Sequence, residues 1–279
     1  MKAAKVITGC LLIAGMTLLY TGCKKDSATN NTSSQNTKLA ADNSLAESTF
    51  DNVKSWSDQA MAAHAFKSTL YDTVFMGTCV LATLDLSAVP YKLTIDFGTA
   101  NCLCSDGIYR RGKILVSFNG SYWLPGTVIT YGFENYFVND NQVLGTKTVS
   151  NMGLNNGGHP WWQVVVAGQI IKANNLGTIT WNSTYQYEWT VGYNTPWEWW
   201  DDVYLLTGNA NGIATDGKTY TYSIITPLMK KLNCQWIVSG TMEIQPQDQP
   251  LISLDYGTGT CDDILIATFN GQVYTIHMN

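Results

Sequence analysis

The sequence predicts an all-β protein: an antiparallel meander of about 10–13 strands, curved into a sheet, sandwich or barrel-like body with two related halves, preceded by one short N-terminal helix. Three observations carry this expectation. From Leu70 onward, short β-branched and aromatic runs alternate with Gly, Asn, Asp and Pro turns. Ten Trp and fifteen Tyr accompany 24 Gly, a composition of strands and turns. A segment around Asp96–Cys102 returns at Asp255–Cys261, so the body looks built twice. By length alone 279 residues suggest two domains, but all-β folds of this size often form one.

The chain opens with an address. Lys2 and Lys5 precede Val6–Tyr20, an uncharged, mostly apolar run. That run is shorter than the roughly 20 residues a membrane-spanning helix needs, so residues 1–22 read as a signal peptide. It ends in Leu19-Tyr20-Thr21-Gly22-Cys23, which resembles the lipobox of bacterial lipoproteins, with Tyr20 where Leu is usual. The resemblance implies that Cys23 becomes the lipidated N-terminus. Residues 23–43 hold one Leu and no aromatic residue, and read as a disordered tether reaching about 25 Å. Ser44-Leu45-Ala46-Glu47 has the form of a capping box and opens a helix over residues 44–66, with Val53, Trp56, Ala60 and His64 as its apolar stripe. His64 reads as a packed residue of the last turn.

The β body then spans residues 67–279, with the repeat dividing it into about 67–150 and 160–279. Tyr91–Phe97, Ile114–Phe118, Thr127–Val138, Val143–Ser150, Gln163–Ile171, Thr178–Trp189 and Lys218–Ile225 are its clearest strands. Thr178–Trp189 alternates so that one face carries the aromatics.

The repeat also predicts disulfides. A hairpin turning about Pro246–Gln249 places Cys234 opposite Thr260 or Cys261, and a turn near Ser87–Pro90 brings Cys79 to Cys102. The expected pairs are Cys79–Cys102 and Cys234–Cys261, with Cys104 left over; disulfides persist in exported chains. Cys102-Leu103-Cys104 without a nearby His is too few ligands for zinc.

The wider pattern resembles a group of exported lipoproteins of Bacteroidota with repeated D-F/Y-G-T-x-x-C segments, for which no activity is established. The resemblance runs through Thr94–Gly98, Asp106-Gly107 with Arg111-Gly112-Lys113, Gly145–Val149, Asp202-Val203-Tyr204, Cys234–Gly240 and Asp255–Asp262. It implies architecture and location: the bacterial cell envelope, as an outer-membrane lipoprotein facing the periplasm or the cell surface.

Charge excludes some partners. The net charge is −5, and removal of Lys2 and Lys5 with the leader leaves 14 Lys and Arg against 21 acids, a charge of −7. Such a surface suits neither nucleic acid nor anionic headgroups, so membrane attachment falls to acyl chains. No G-x-S-x-G or H-E-x-x-H motif occurs, and His64, His159 and His277 leave few candidate bases. No catalytic residue, cofactor or metal ligand is assigned, and His159 reads as a loop residue.

The strongest candidate site is Trp197-Glu198-Trp199-Trp200-Asp201-Asp202, after the Thr195-Pro196 turn. Indole faces stack on the C–H faces of sugars and carboxylates bind hydroxyls. Read as a strand, the segment sets Trp197 and Trp199 on one side and Glu198 and Trp200 on the other. The competing reading packs the indoles between sheet layers. Two functions follow: a non-catalytic binding or assembly module, with a glycan or another envelope protein as partner; or a structural or carrier lipoprotein whose curved sheet holds an apolar ligand or partner. An exposed Trp row favours the first and a lined cavity the second.

Overall fold

In the computed structural model of the chain the described residues are 27–64, 70–77, 79–195, 198–234 and 236–277, with the side chains of 27–37, 40 and 199 left aside. The leader and Cys23 therefore lie outside the described residues. One helix, α1 (Ser27–His64), precedes β1 (Tyr71–Met76), β2 (Val80–Asp85), β3 (Tyr91–Asp96), β4 (Cys102–Leu103) and β5 (Tyr109–Phe118). There follow β6 (Val128–Val138), β7 (Asn141–Leu154), β8 (Pro160–Ile171), β9 (Thr178–Val191) and β10 (Val203–Ile213). The chain closes with β11 (Thr219–Lys231), β12 (Ile237–Pro246), β13 (Ile252–Thr258), β14 (Ile264–Phe269) and β15 (Gln272–His277). Among the described residues these make one 15-stranded antiparallel sheet in chain order, with the two-residue β4 set beside β5. The ends β1 and β15 do not pair, so the sheet stays open.

The all-β meander is as the sequence predicts, with more strands than expected. The helix is not short, and it begins at Ser27, inside the segment expected to be a free tether. Composition misled here because two polar residues of that segment, Asp42 and Asn43, find partners in the β body. Asp42 is fully buried and accepts from Lys172 Nζ at 3.1 Å and from the Thr215 amide and hydroxyl at 3.0 and 2.6 Å. Trp181 Nε1–H donates to Asn43 Oδ1 at 3.2 Å. The expected stripe of Val53, Trp56, Ala60 and His64 is buried, and Leu39, Ala46 and Phe50 extend it upstream.

This helix packs against β1, β2, β3, β8 and β9 at once. Tyr91 of β3 and Tyr204 of β10 are six places apart in the sheet, roughly 30 Å were it flat, yet they line one cleft beside the helix. The sheet therefore curls around the helix. Glycine bulges help. Gly112, at φ 81°, sits where a Cβ would fall 1.8 Å from the Asn135 carbonyl, and the β5–β6 register shifts there. An extra residue at such a point bends and twists the strand.

Inside the curl the packing is aromatic. Phe50 stacks on Trp181 at 5.8 Å and meets Phe133 edge-on at 6.0 Å. Gly168 on β8 makes room for that ring. Lys147, almost fully buried, donates from Nζ to the Phe50 carbonyl at 2.9 Å and pairs with Asp51 at 3.2 Å. Arg110 grips Asp106 with two hydrogen bonds of 2.8 and 2.7 Å while lying over the Trp56 ring. Bidentate pairing of this kind suits a buried guanidinium.

The two matching segments are built alike. Asp96 Oδ1 accepts the Gly98 amide and Asp255 Oδ1 the Gly257 amide, each at 2.8 Å, with both glycines at positive φ. Farther on, Asp106 Oδ1 accepts the Ile108 amide and Asp262 Oδ1 that of Ile264. Cys79–Cys102 and Cys234–Cys261 are paired across Cα distances of 6.0 and 5.8 Å, and Cys104 is free and buried. The β12–β13 register pairs Met242 with Leu254, close to the one read from the sequence.

Candidate functional site: an aromatic cleft

At one end of the helix the sheet and helix separate, leaving a cleft of about 1030 Å³. Several separate stretches of chain build it. The inward alternation of β3, β5 and β6 supplies Tyr91, Phe118 and Tyr131. The loop joining β5 to β6, Ser121-Tyr122-Trp123-Leu124, closes one side. The last turns of α1 add Lys54, Asp58 and Met61, while β9, the β9–β10 connection and β10 add Trp189, Asp202 and Tyr204 in turn. The volume stands at the upper end of small-molecule sites, and like them it is mostly apolar with a few polar groups.

The aromatics form one connected cluster. Trp189 stacks on Tyr204 at 5.7 Å with planes 11° apart, and Tyr122 stacks on Trp162 at 5.1 Å. Trp123 bridges them, 5.4 Å from Trp189 and 5.8 Å from Trp162. At the rim Trp123 and Leu124 are 57% and 59% exposed, an apolar pair open to solvent on the loop.

Two carboxylates enter this surface. Asp58 takes a hydrogen bond of 2.6 Å from Lys54 Nζ, whose ammonium lies 4.5 Å over the Tyr122 ring. Asp202, only 7% exposed, accepts from Trp189 Nε1–H at 3.1 Å. Burial raises the Asp202 carboxyl above its ordinary range, the indole hydrogen bond opposes that, and neighbouring Asp201 adds to it. The Tyr204 phenol is held well up by burial and then by the Asp202 and Asp58 charges, so both carboxylates bear on it.

Among the described residues, the segment singled out from the sequence meets this site at Asp202. Trp197 lies outside the described residues, as does the side chain of Trp199. Trp199–Asp201 is a 3₁₀ turn, so the strand alternation expected for the indoles does not hold: Asp201 N–H closes back onto the Glu198 carbonyl at 3.1 Å. Glu198 is exposed and Trp200 is half exposed. Asp201 accepts from the Thr195 hydroxyl at 2.8 Å. Asp202 turns inward to the cleft, not outward with Trp200 as one patch. His159 does lie in the β7–β8 loop, half-buried, and its Nδ1 is 2.6 Å from Glu188 Oε1, which holds the Glu188 carboxyl below its ordinary value.

Sequence reading missed Lys54, Asp58, Tyr122, Trp123, Trp189 and Tyr204 as a group, because they come from distant segments. One signal was present. Ser121-Tyr122-Trp123-Leu124-Pro125-Gly126 places three large apolar side chains on a turn, where polar residues normally stand. Among the described residues no group of three or more His, Cys, Asp or Glu could hold a metal, and no helix is long and apolar enough to cross a membrane. Compared with known proteins, the chain matches no family model, no curated protein and no solved structure.

Proposed function

We propose that this is an exported lipoprotein, anchored in the outer membrane through acyl chains on Cys23, whose curved sheet holds an apolar ligand without transforming it. The observation that carries the reading is the cleft: about 1030 Å³, walled by stacked aromatics and aliphatic side chains, and open at a Trp-Leu rim. A water-filled recess lined this way gains free energy when an apolar group displaces its water, by about 25 cal/mol per Å² of apolar surface covered. The glycan reading rested on a row of indoles at 197–200, of which the half-exposed Trp200 with Glu198 still supports a surface contact.

The experiment is uptake of N-phenyl-1-naphthylamine by the purified mature chain, followed by energy transfer from Trp123, Trp162 and Trp189. Saturable uptake that weakens at least about fivefold in Trp123→Ala, with unchanged circular dichroism, is the expected result. Absence of saturable uptake, or uptake indifferent to Trp123→Ala, refutes the carrier reading. A glycan-array signal lost in Trp200→Ala would then return the function to carbohydrate.

A further inference from the structure

Resting on the carrier reading, we infer that the ligand is an amphiphile with a cationic head, an amine or quaternary ammonium, seated between Asp202, Trp189 and Tyr204. The cleft itself displays the chemistry. On its helix side an ammonium, that of Lys54, lies 4.5 Å over the face of Tyr122 and 2.6 Å from the Asp58 carboxylate. Elsewhere in the same lining Asp202 repeats the carboxylate and Trp189 with Tyr204 repeat the aromatic wall, and Trp123 stands 5.4 Å from Trp189. No lysine, arginine or histidine pairs with Asp202 among the described residues; its side-chain partner is a neutral indole.

A carboxylate this buried is costly to leave without a counter-charge. Aromatic faces attract cations through their quadrupole, more strongly where water is excluded. Within the cleft two carboxylates, Asp58 and Asp202, face one ammonium, so one negative charge is left to be matched from outside. Leu70, Leu86, Val116, Phe118 and Ile129 of the lining are apolar and fit a hydrocarbon tail. An anionic head would meet that excess negative charge, and a neutral sugar head would leave it unmatched.

Three twelve-carbon amphiphiles test this, each below its micelle concentration in about 0.15 M salt: dodecyltrimethylammonium, dodecyl sulfate and dodecyl maltoside, by isothermal titration. Dodecyltrimethylammonium should bind about tenfold or more tightly than the other two. In Asp202→Asn that advantage should fall to about threefold or less while dodecyl maltoside binding is unchanged. Asp58→Asn, at an exposed helix position whose loss leaves the fold intact, should reduce it in the same direction. Equal affinity for the three heads, preference for the sulfate, or an advantage untouched in both variants overturns the cationic head and leaves the apolar cleft standing. Failure of all three to bind overturns the carrier reading as well.

Discussion

Gly168 and Phe50 are coupled so closely that neither substitution can be understood alone. A Cβ built on Gly168 falls 2.1 Å from Phe50 Cζ and 2.4 Å from Cε2, whereas ordinary contact is near 3.5 Å or more. The ring cannot simply swing away. Trp181 stacks on it, Phe133 meets its edge, and the helix that carries it is pinned by Asp42 and Lys147. Gly168→Ala should therefore cost about 1–3 kcal/mol, the usual penalty for overfilling a packed core. Phe50→Ala should cost about 3–5 kcal/mol through lost burial and the cavity left behind. In the double variant the new methyl enters that cavity, and Gly168 needs no left-handed backbone, so Ala suits the strand better than Gly by about 0.5–1 kcal/mol. The second substitution should thus be neutral or stabilising in the Phe50→Ala background, a coupling of about 2–3 kcal/mol. Urea unfolding of the four proteins, followed by Trp fluorescence with disulfides intact, reads it directly. Costs that add within about 0.5 kcal/mol would refute the close approach of helix and sheet at this point.

Three further outcomes follow from the same geometry. Asp42→Ala leaves Lys172 and Thr215 without their acceptor and should cost about 3 kcal/mol in the same assay, with the helix released from the sheet, seen as faster amide exchange over residues 38–50. Glu47 is pushed up to about 8 by burial and then by Asp51, so the folded protein holds its proton while the unfolded chain releases it near 4.5. Stability is therefore full below about pH 4.5 from this group and lost as pH rises toward 8, by on the order of 3–5 kcal/mol at most; Glu47→Gln should flatten that decline, and parallel pH profiles for the two proteins would show the carboxyl is not enclosed. Cys23→Ser should move the protein from the membrane to the soluble fraction, and a variant still bound to membranes removes the lipid anchor from the proposal.

The parts of the fold that were legible in the sequence are those whose cause is local. Thr178–Trp189 alternates strictly, and Trp181, Tyr185 and Trp189 do point into the curl. The cysteine pairs followed from the repeat, since equal Asp-x-Gly turns bring equal strands to equal places. The upstream half of α1 was hidden because Asp42 and Asn43 are held by hydrogen bonds to residues far along the chain, and composition records polarity without its partners. The cleft was hidden for the related reason that its walls come from distant stretches joined only by the curvature of the sheet. Asp202 was singled out with the Trp segment for an outward patch; the 3₁₀ turn before β10 aims it the other way.

The strand order has a consequence for how the chain reaches this state. Each long strand pairs with its neighbour in sequence, so the sheet consists of hairpins that can close in turn as synthesis proceeds, a topology of low contact order. The helix is the exception. It is made first, yet Asp42 meets Thr215 across 173 residues of chain. Between those moments it has no sheet to cover it. A strongly apolar helix would spend that interval as a magnet for other unfinished chains. This one is rich in Ser, Thr and Asn through its first half and is held at Asp42, Asn43 and, further along, at the Phe50 carbonyl by directed hydrogen bonds as well as by one narrow apolar stripe. It can wait in water and still be recognised when the strands arrive.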